Sequence, residues 1–177
     1  VAGVPVWLWG ALGVVLVIGG KPAAKAIKHQ FDLNKLHPEM RRRVEAWIAD
    51  SAAAGYEVGI TETLRGAERQ KELETGGKST VKTSYHQSGL AIDFVVRRTP
   101  SGKITPFKET PQELAALSAV AQIGKRNGMR WGGDWKSFRD GYHLEIDTPL
   151  RITEAFARYQ SQGPAFALTG LPRYVVG

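Results

Sequence analysis

There is no cysteine in the chain. Disulfide staples, thiolate nucleophiles and sulfur-ligated metal sites are thereby excluded, and any metal must be held by histidine, aspartate or glutamate. Negative charge is the scarcer sign: 17 Asp and Glu against 24 Lys and Arg leave a formal charge of +7. Such a surface attracts polyanions, whether nucleic acid, acidic lipid or a bacterial wall carrying phosphates and carboxylates, without choosing among them. Repeats and low-complexity runs are missing too. A phosphate-binding loop is excluded although "GGKST" glances at one, because position 72, where the pattern needs its first glycine, is glutamate. With 177 residues, 42% of them hydrophobic, the chain can bury one compact core.

Long apolar runs are limited to one, "VPVWLWGALGVVLVIGG" from Val4 to Gly20. Its 17 uncharged residues, at about 1.5 Å of rise each, nearly cross a hydrocarbon core of about 30 Å. Two tryptophans near its start suit a headgroup interface, Lys21, Lys25 and Lys28 come after it, and no positive charge precedes it as in a signal peptide. The expectation is an uncleaved membrane anchor or assembly helix over 1–30, with a buried core helix as the alternative. By the positive-inside rule the lysines would hold the downstream domain in the cytoplasm, unless the segment inserts in a virus membrane or particle.

Beyond a basic connector, "LHPEMRRRVEAWIADSAAAG" predicts a helix from Pro38 to a stop at Gly55, with Met40, Val44, Trp47 and Ile48 on one face. "YEVGITETLR" reads as a strand, "GAERQKELETGG" as a short polar helix, "GLAIDFVV" (Gly89 to Val96) as a strand, and "RRTPSGKI" as a turn. "TPQELAALSAVAQIGKRNG" carries a capping box, Thr110 to Glu113. "MRWGG" and "YHLEI" predict further strands and "PLRITEAFARYQSQ" a closing helix. The tail from 161 has no clear period and is expected to pack on a partner. This order implies an α+β domain over 31–160, with a small, mostly antiparallel sheet and flanking helices.

Two of the four histidines stand near carboxylates: His86 precedes Asp93, and "FRDGYHLEI" offers Asp140 and His143. Two imidazoles and a carboxylate can hold a catalytic zinc with one position open, and Asp140 is then the candidate to carry the proton. Arg65 could bind a developing oxyanion. Each residue also has a plainer reading, since His86 could cap a strand, Asp93 could pair with Arg65, and Asp140 could turn the chain with Gly141.

The stretch "SYHQSGLAID" resembles the S-x-H-x-x-G-x-A-x-D signature of the zinc D-Ala-D-Ala carboxypeptidase and dipeptidase family. VanY-like enzymes and the phage endolysin-type L-alanyl-D-glutamate peptidases belong to it. The match rests on Ser84, His86, Gly89, Ala91 and Asp93. The resemblance implies the Hedgehog/D-Ala-D-Ala peptidase-like fold and zinc on His86, Asp93 and His143. It further implies Asp140 as general base, as in the alanyl-glutamate branch, and Arg65, from "LRGAERQ", as the substrate-stabilising arginine. Ser84 would orient the metal loop or touch substrate, and Trp131 or Trp135 would wall the cleft, though both suit a core equally. The implied partner is peptidoglycan at the cell wall, with no nucleic acid, and with membrane or virion association through the apolar segment. A D-Ala-D-Ala carboxypeptidase and a non-catalytic zinc-fold assembly protein are the alternatives. One departure stands out: "DGYHLE" replaces the family's D-x-P-H-F-E, and Gly141 implies a looser link between base and ligand.

Overall fold

In the computed structural model, which describes residues 32–76 and 83–171, helix α1 (Pro38–Ala53) starts on a proline whose missing amide hydrogen costs nothing there. Its N-cap is His37, whose Nδ1 accepts the Glu39 N–H at 3.1 Å. Met40, Val44 and Trp47 form its fully buried stripe, while Ile48 is half-buried at the margin. The chain then forms strand β1 (Glu57–Glu62), helix α2 (Ala67–Thr75), strands β2 (Ala91–Thr99) and β3 (Gly102–Lys103), and helix α3 (Pro111–Arg126). Strands β4 (Met129–Trp131) and β5 (His143–Ile146) and helix α4 (Ile152–Gln162) complete it.

The strands run in the order β1-β2-β5-β4, every pairing antiparallel, with β3 joined to the far end of β2. Strand β2 is flanked by β1 and β5, and its alternation sends Ile92, Phe94 and Val96 into the core, which places Asp93 on the opposite face. Trp47 locks the layers together, its ring 5.2 Å from Phe94 and its indole N–H donating to the Val120 carbonyl at 2.8 Å. Burying such a side chain contributes about 1.5–3 kcal/mol.

The α+β expectation with a small antiparallel sheet is met, and four details differ. Strand β2 runs on through Arg97, Arg98 and Thr99, because pairing with β3 satisfies a backbone that composition alone assigns to a turn. Strand β5 begins at His143, one residue after Tyr142. The Thr110–Glu113 capping box is half made: Thr110 accepts the Glu113 N–H at 3.2 Å, but the Glu113 carboxylate turns to other donors. The described part of the tail packs on its own domain, with Phe166 2% exposed and its carbonyl bound by His37 Nε2 at 2.8 Å. The expected apolar segment over 1–30 lies outside the described residues, among which no helix is long and apolar enough to cross a membrane.

Candidate active site

Antiparallel register brings Asp93 directly opposite His143 across β2 and β5. His86 arrives from a 3-10 turn, Tyr85–Ser88, which ends at Gly89 in the left-handed region (φ 69°) and feeds β2. A side chain at Gly89 would strike the His37 amide at 2.8 Å, so the turn can sit here only on glycine. Ser84 caps this turn. Its hydroxyl accepts the His86 N–H at 3.4 Å, and Gln87 returns a bond to the Ser84 amide at 3.0 Å.

Three atoms converge. His86 Nε2 lies 3.1 Å from Asp93 Oδ1 and 3.3 Å from His143 Nδ1, and His143 Nδ1 lies 3.0 Å from Asp93 Oδ1. Tetrahedral bonds of about 2.0–2.1 Å would set ligand atoms about 3.3 Å apart, so the triangle fits one small divalent ion on its open side. The outer nitrogens reinforce the fit. His86 Nδ1 faces the Thr63 carbonyl at 2.8 Å and His143 Nε2 faces Glu145 Oε2 at 3.2 Å. A carbonyl and a carboxylate accept, so each imidazole donates its outer N–H, and whenever the rings are neutral both inner nitrogens are bare lone pairs beside a carboxylate oxygen. Three acceptors in contact require a cation or a proton between them.

The titration behaviour expresses the same demand. Burial pulls His143 down, but hydrogen bonds and charge from Asp93 and Glu145 outweigh it and raise its pKa to about 9. Burial pushes Asp93 up, and the charge of His86 with the hydrogen bonds of both histidines holds it well below the usual carboxylate range. Asp140 moves the other way: burial first and the Asp93 charge second raise it, against the pull of His143. The shift is in the direction that makes a carboxylate a better proton acceptor.

These groups open into a cavity of about 1110 Å³. A family model described as D-alanyl-D-alanine carboxypeptidase matches residues 77–146. The peptidoglycan L-alanyl-D-glutamate endopeptidase CwlK of Bacillus subtilis is 35% identical over 122 residues, 63% of this chain and 73% of that protein. The chain belongs to this peptidase family. The L-alanyl-D-glutamate peptidase of Listeria phage A118 is 29% identical over 127 residues, 72% of this chain but 43% of the phage protein. Among solved structures, the L-Ala D-Glu endopeptidase ChiX of Serratia marcescens is 26% identical with a TM-score of 0.53, over 64% of this chain and 82% of that one.

The peptidase holds Arg65 at the cavity beside Asp93. Its Nε and Nη2 donate to Glu62, its Nη1 to Gln70 at 3.0 Å, and its Nη2 also reaches Asp93 Oδ2 at 3.4 Å. A guanidinium has five N–H groups, so one on Nη1 has no partner among the described residues. Trp131 does not line the cavity, contrary to the expectation, because it stands on β4 behind the loop and donates its indole N–H to the Gly141 carbonyl at 2.9 Å. Trp135 lines it instead, its ring centroid 5.1 Å from that of His143.

The glycines of "WGGDW" are packing devices. A β-carbon at Gly132 would meet the Asp140 carbonyl oxygen at 2.6 Å, and one at Gly133 would meet the Trp131 ring at 2.3 Å. The turn holding Asp140 is not loosened by Gly141: Asp140 Oδ1 accepts the Tyr142 N–H at 3.0 Å and the Asp140 amide donates to Gly132 O at 3.0 Å. Sequence reasoning overlooked Glu145, buried and paired with Arg130 at 2.9 Å. Its signal was available, since His143 and Glu145 are two apart on a strand and so share a face.

Proposed function

We propose that the protein is a zinc-dependent peptidase acting on the stem peptides of peptidoglycan at the cell wall, and that it cleaves the L-Ala–D-Glu bond. The observation that carries this reading is the meeting of His86 Nε2, Asp93 Oδ1 and His143 Nδ1 within 3.3 Å of one another, in one cavity with Asp140. The alanyl-glutamate bond is favoured by the relatives from Bacillus subtilis and the Listeria phage, both named for that specificity.

His86, Asp93 and His143 would hold the zinc, which when bound would supply Lewis acidity to water and to the scissile carbonyl. The chain's own groups do the rest. Asp140 takes the proton lost by water as the C–O bond forms, then gives it to the amine of the glutamyl residue as the C–N bond breaks. The free Nη1 hydrogen of Arg65 donates to the carbonyl oxygen as negative charge gathers there. Ser84 keeps the His86 turn in place, Glu145 and the Thr63 carbonyl fix which nitrogen each imidazole presents, and Trp135 forms the wall against the peptide.

Replacement separates the roles. Asp140→Ala is expected to keep its zinc and lose hydrolysis by about 10²–10⁴-fold, whereas His143→Ala loses zinc as well, measured by elemental analysis and by digestion of purified peptidoglycan. Unchanged turnover in the Asp140 variant would reject the base. Mass spectrometry of the products decides the bond, since alanyl-glutamate cleavage frees the stem from its first residue and a D-Ala-D-Ala carboxypeptidase, the activity after which the matching family model is described, releases only terminal alanine.

A further inference from the structure

Glu113 is a buried carboxylate that the chemistry above leaves unused. It lies on the first turn of α3, is 0% exposed, and gathers four donors. Its Oε1 accepts the Phe107 N–H at 2.7 Å and the Tyr142 hydroxyl at 3.0 Å, and its Oε2 accepts the Lys108 and Glu109 N–H groups at 2.9 and 2.8 Å. The loop so gathered is strained. Phe107 and Glu109 both have positive φ, 63° and 51°, a region that residues other than glycine rarely enter. The exposed Phe107 ring also leans on Tyr142, centroids 5.0 Å apart. Tyr142 sits between Asp140 and His143 in sequence, and its amide is the donor to Asp140 Oδ1.

We infer that Glu113 and Tyr142 are positioning residues for Asp140: the buried carboxylate fixes the tyrosine side chain, and the tyrosine backbone fixes the carboxylate that moves the proton. The inference rests on the reading of Asp140 as base. A residue without an amide hydrogen at 142 could not make the second link, and a phenylalanine there could not make the first. Only a carboxylate serves at 113, because a glutamine would turn an NH₂ group toward donors that need acceptors.

The test uses the full-length, metal-loaded protein with Tyr142→Phe and Glu113→Gln. Steady-state kinetics on a soluble stem peptide, metal content, and hydrogen exchange at the 139–143 amides are measured. For Tyr142→Phe the expectation is a kcat lower by about 10- to 100-fold with KM within about twofold, normal metal content, and faster exchange of the Tyr142 amide. Glu113→Gln shows the same changes or larger ones if it folds, and the tyrosine variant decides the matter if it does not. Wild-type kcat in Tyr142→Phe overturns the inference, and so does a lowered kcat with unchanged exchange, since the hydroxyl would then act other than by fixing the turn. Absence of turnover in the wild-type protein removes the proposed function instead, and the exchange comparison still decides whether the clamp exists.

Discussion

His143 faces two carboxylates at once, Asp93 through Nδ1 and Glu145 through Nε2, and this sets how the metal-free protein responds to pH. Its folded pKa of about 9 stands above the ordinary 6.5. It therefore contributes stability that is complete below pH 6.5 and is lost as pH rises through 9. Asp93, held below its ordinary 3.8, contributes stability that is present above that value and lost as pH falls through the lower folded one. Protein stripped with a chelator should thus melt highest between about pH 4 and 6.5 and lose Tm steadily toward pH 9. With metal restored, the ion takes the place of the proton, and the alkaline loss should shrink. A chelated protein with a flat Tm across pH 6.5–9 would contradict this account of the cluster.

Elements matter here through register. A slip of β5 by one residue against β2 would turn His143 to the core face and Leu144 to the cavity while Asp93 stayed in place, so the buried alternation guards the site. The Asp140 turn is set by its seat on the 3-10 turn Gly132–Asp134. Gly132→Ala pushes a methyl group into the Asp140 carbonyl and toward the β-carbons of Asp140 and His143. The expected outcome is a loss of stability of about 1–3 kcal/mol with a fall in kcat of about 10-fold or more, read by thermal melts and peptide kinetics. Full activity in this variant would mean that the turn has room to move without consequence.

Over the whole molecule, the excess of 24 basic over 17 acidic residues is expected to draw the protein to an anionic wall while doing no chemistry. Salt should separate these effects. Raising ionic strength from about 0.05 to 0.5 M shortens the screening length to a few Å, so apparent KM on intact sacculi should rise several-fold while kcat on a small soluble peptide changes little. Equal salt response for both substrates would place the charge effect inside the active site. The tail belongs to this scale too. Phe166 joins the core and its carbonyl binds His37, the N-cap of α1, so Phe166→Ala should destabilise the whole domain by about 3–5 kcal/mol rather than free a peripheral segment. Urea denaturation checks this.

Local chemistry in the sequence by itself determined the helices and every strand but β3, whose pairing with the end of β2 lies in a stretch that reads as a turn: proline at the start of α1, threonine before α3, and alternation along β2 act over a few residues and need no distant partner. Composition by itself only restricted a metal to histidine and carboxylate ligands, and the choice of His86, Asp93 and His143 among them came from the resemblance of "SYHQSGLAID" and "DGYHLE" to the family's motifs. Tertiary structure decided the rest. Which nitrogen each histidine presents depends on the Thr63 carbonyl and on Glu145, and the tryptophan that reaches the cavity depends on which side of the Gly132–Gly133 turn it falls. The fate of Glu113 is the clearest case, since its sequence neighbours offer a helix cap while four donors drawn together from the 107–109 loop and Tyr142 claim its carboxylate. A buried acceptor goes where the most donors converge, and that convergence exists only after the chain has folded.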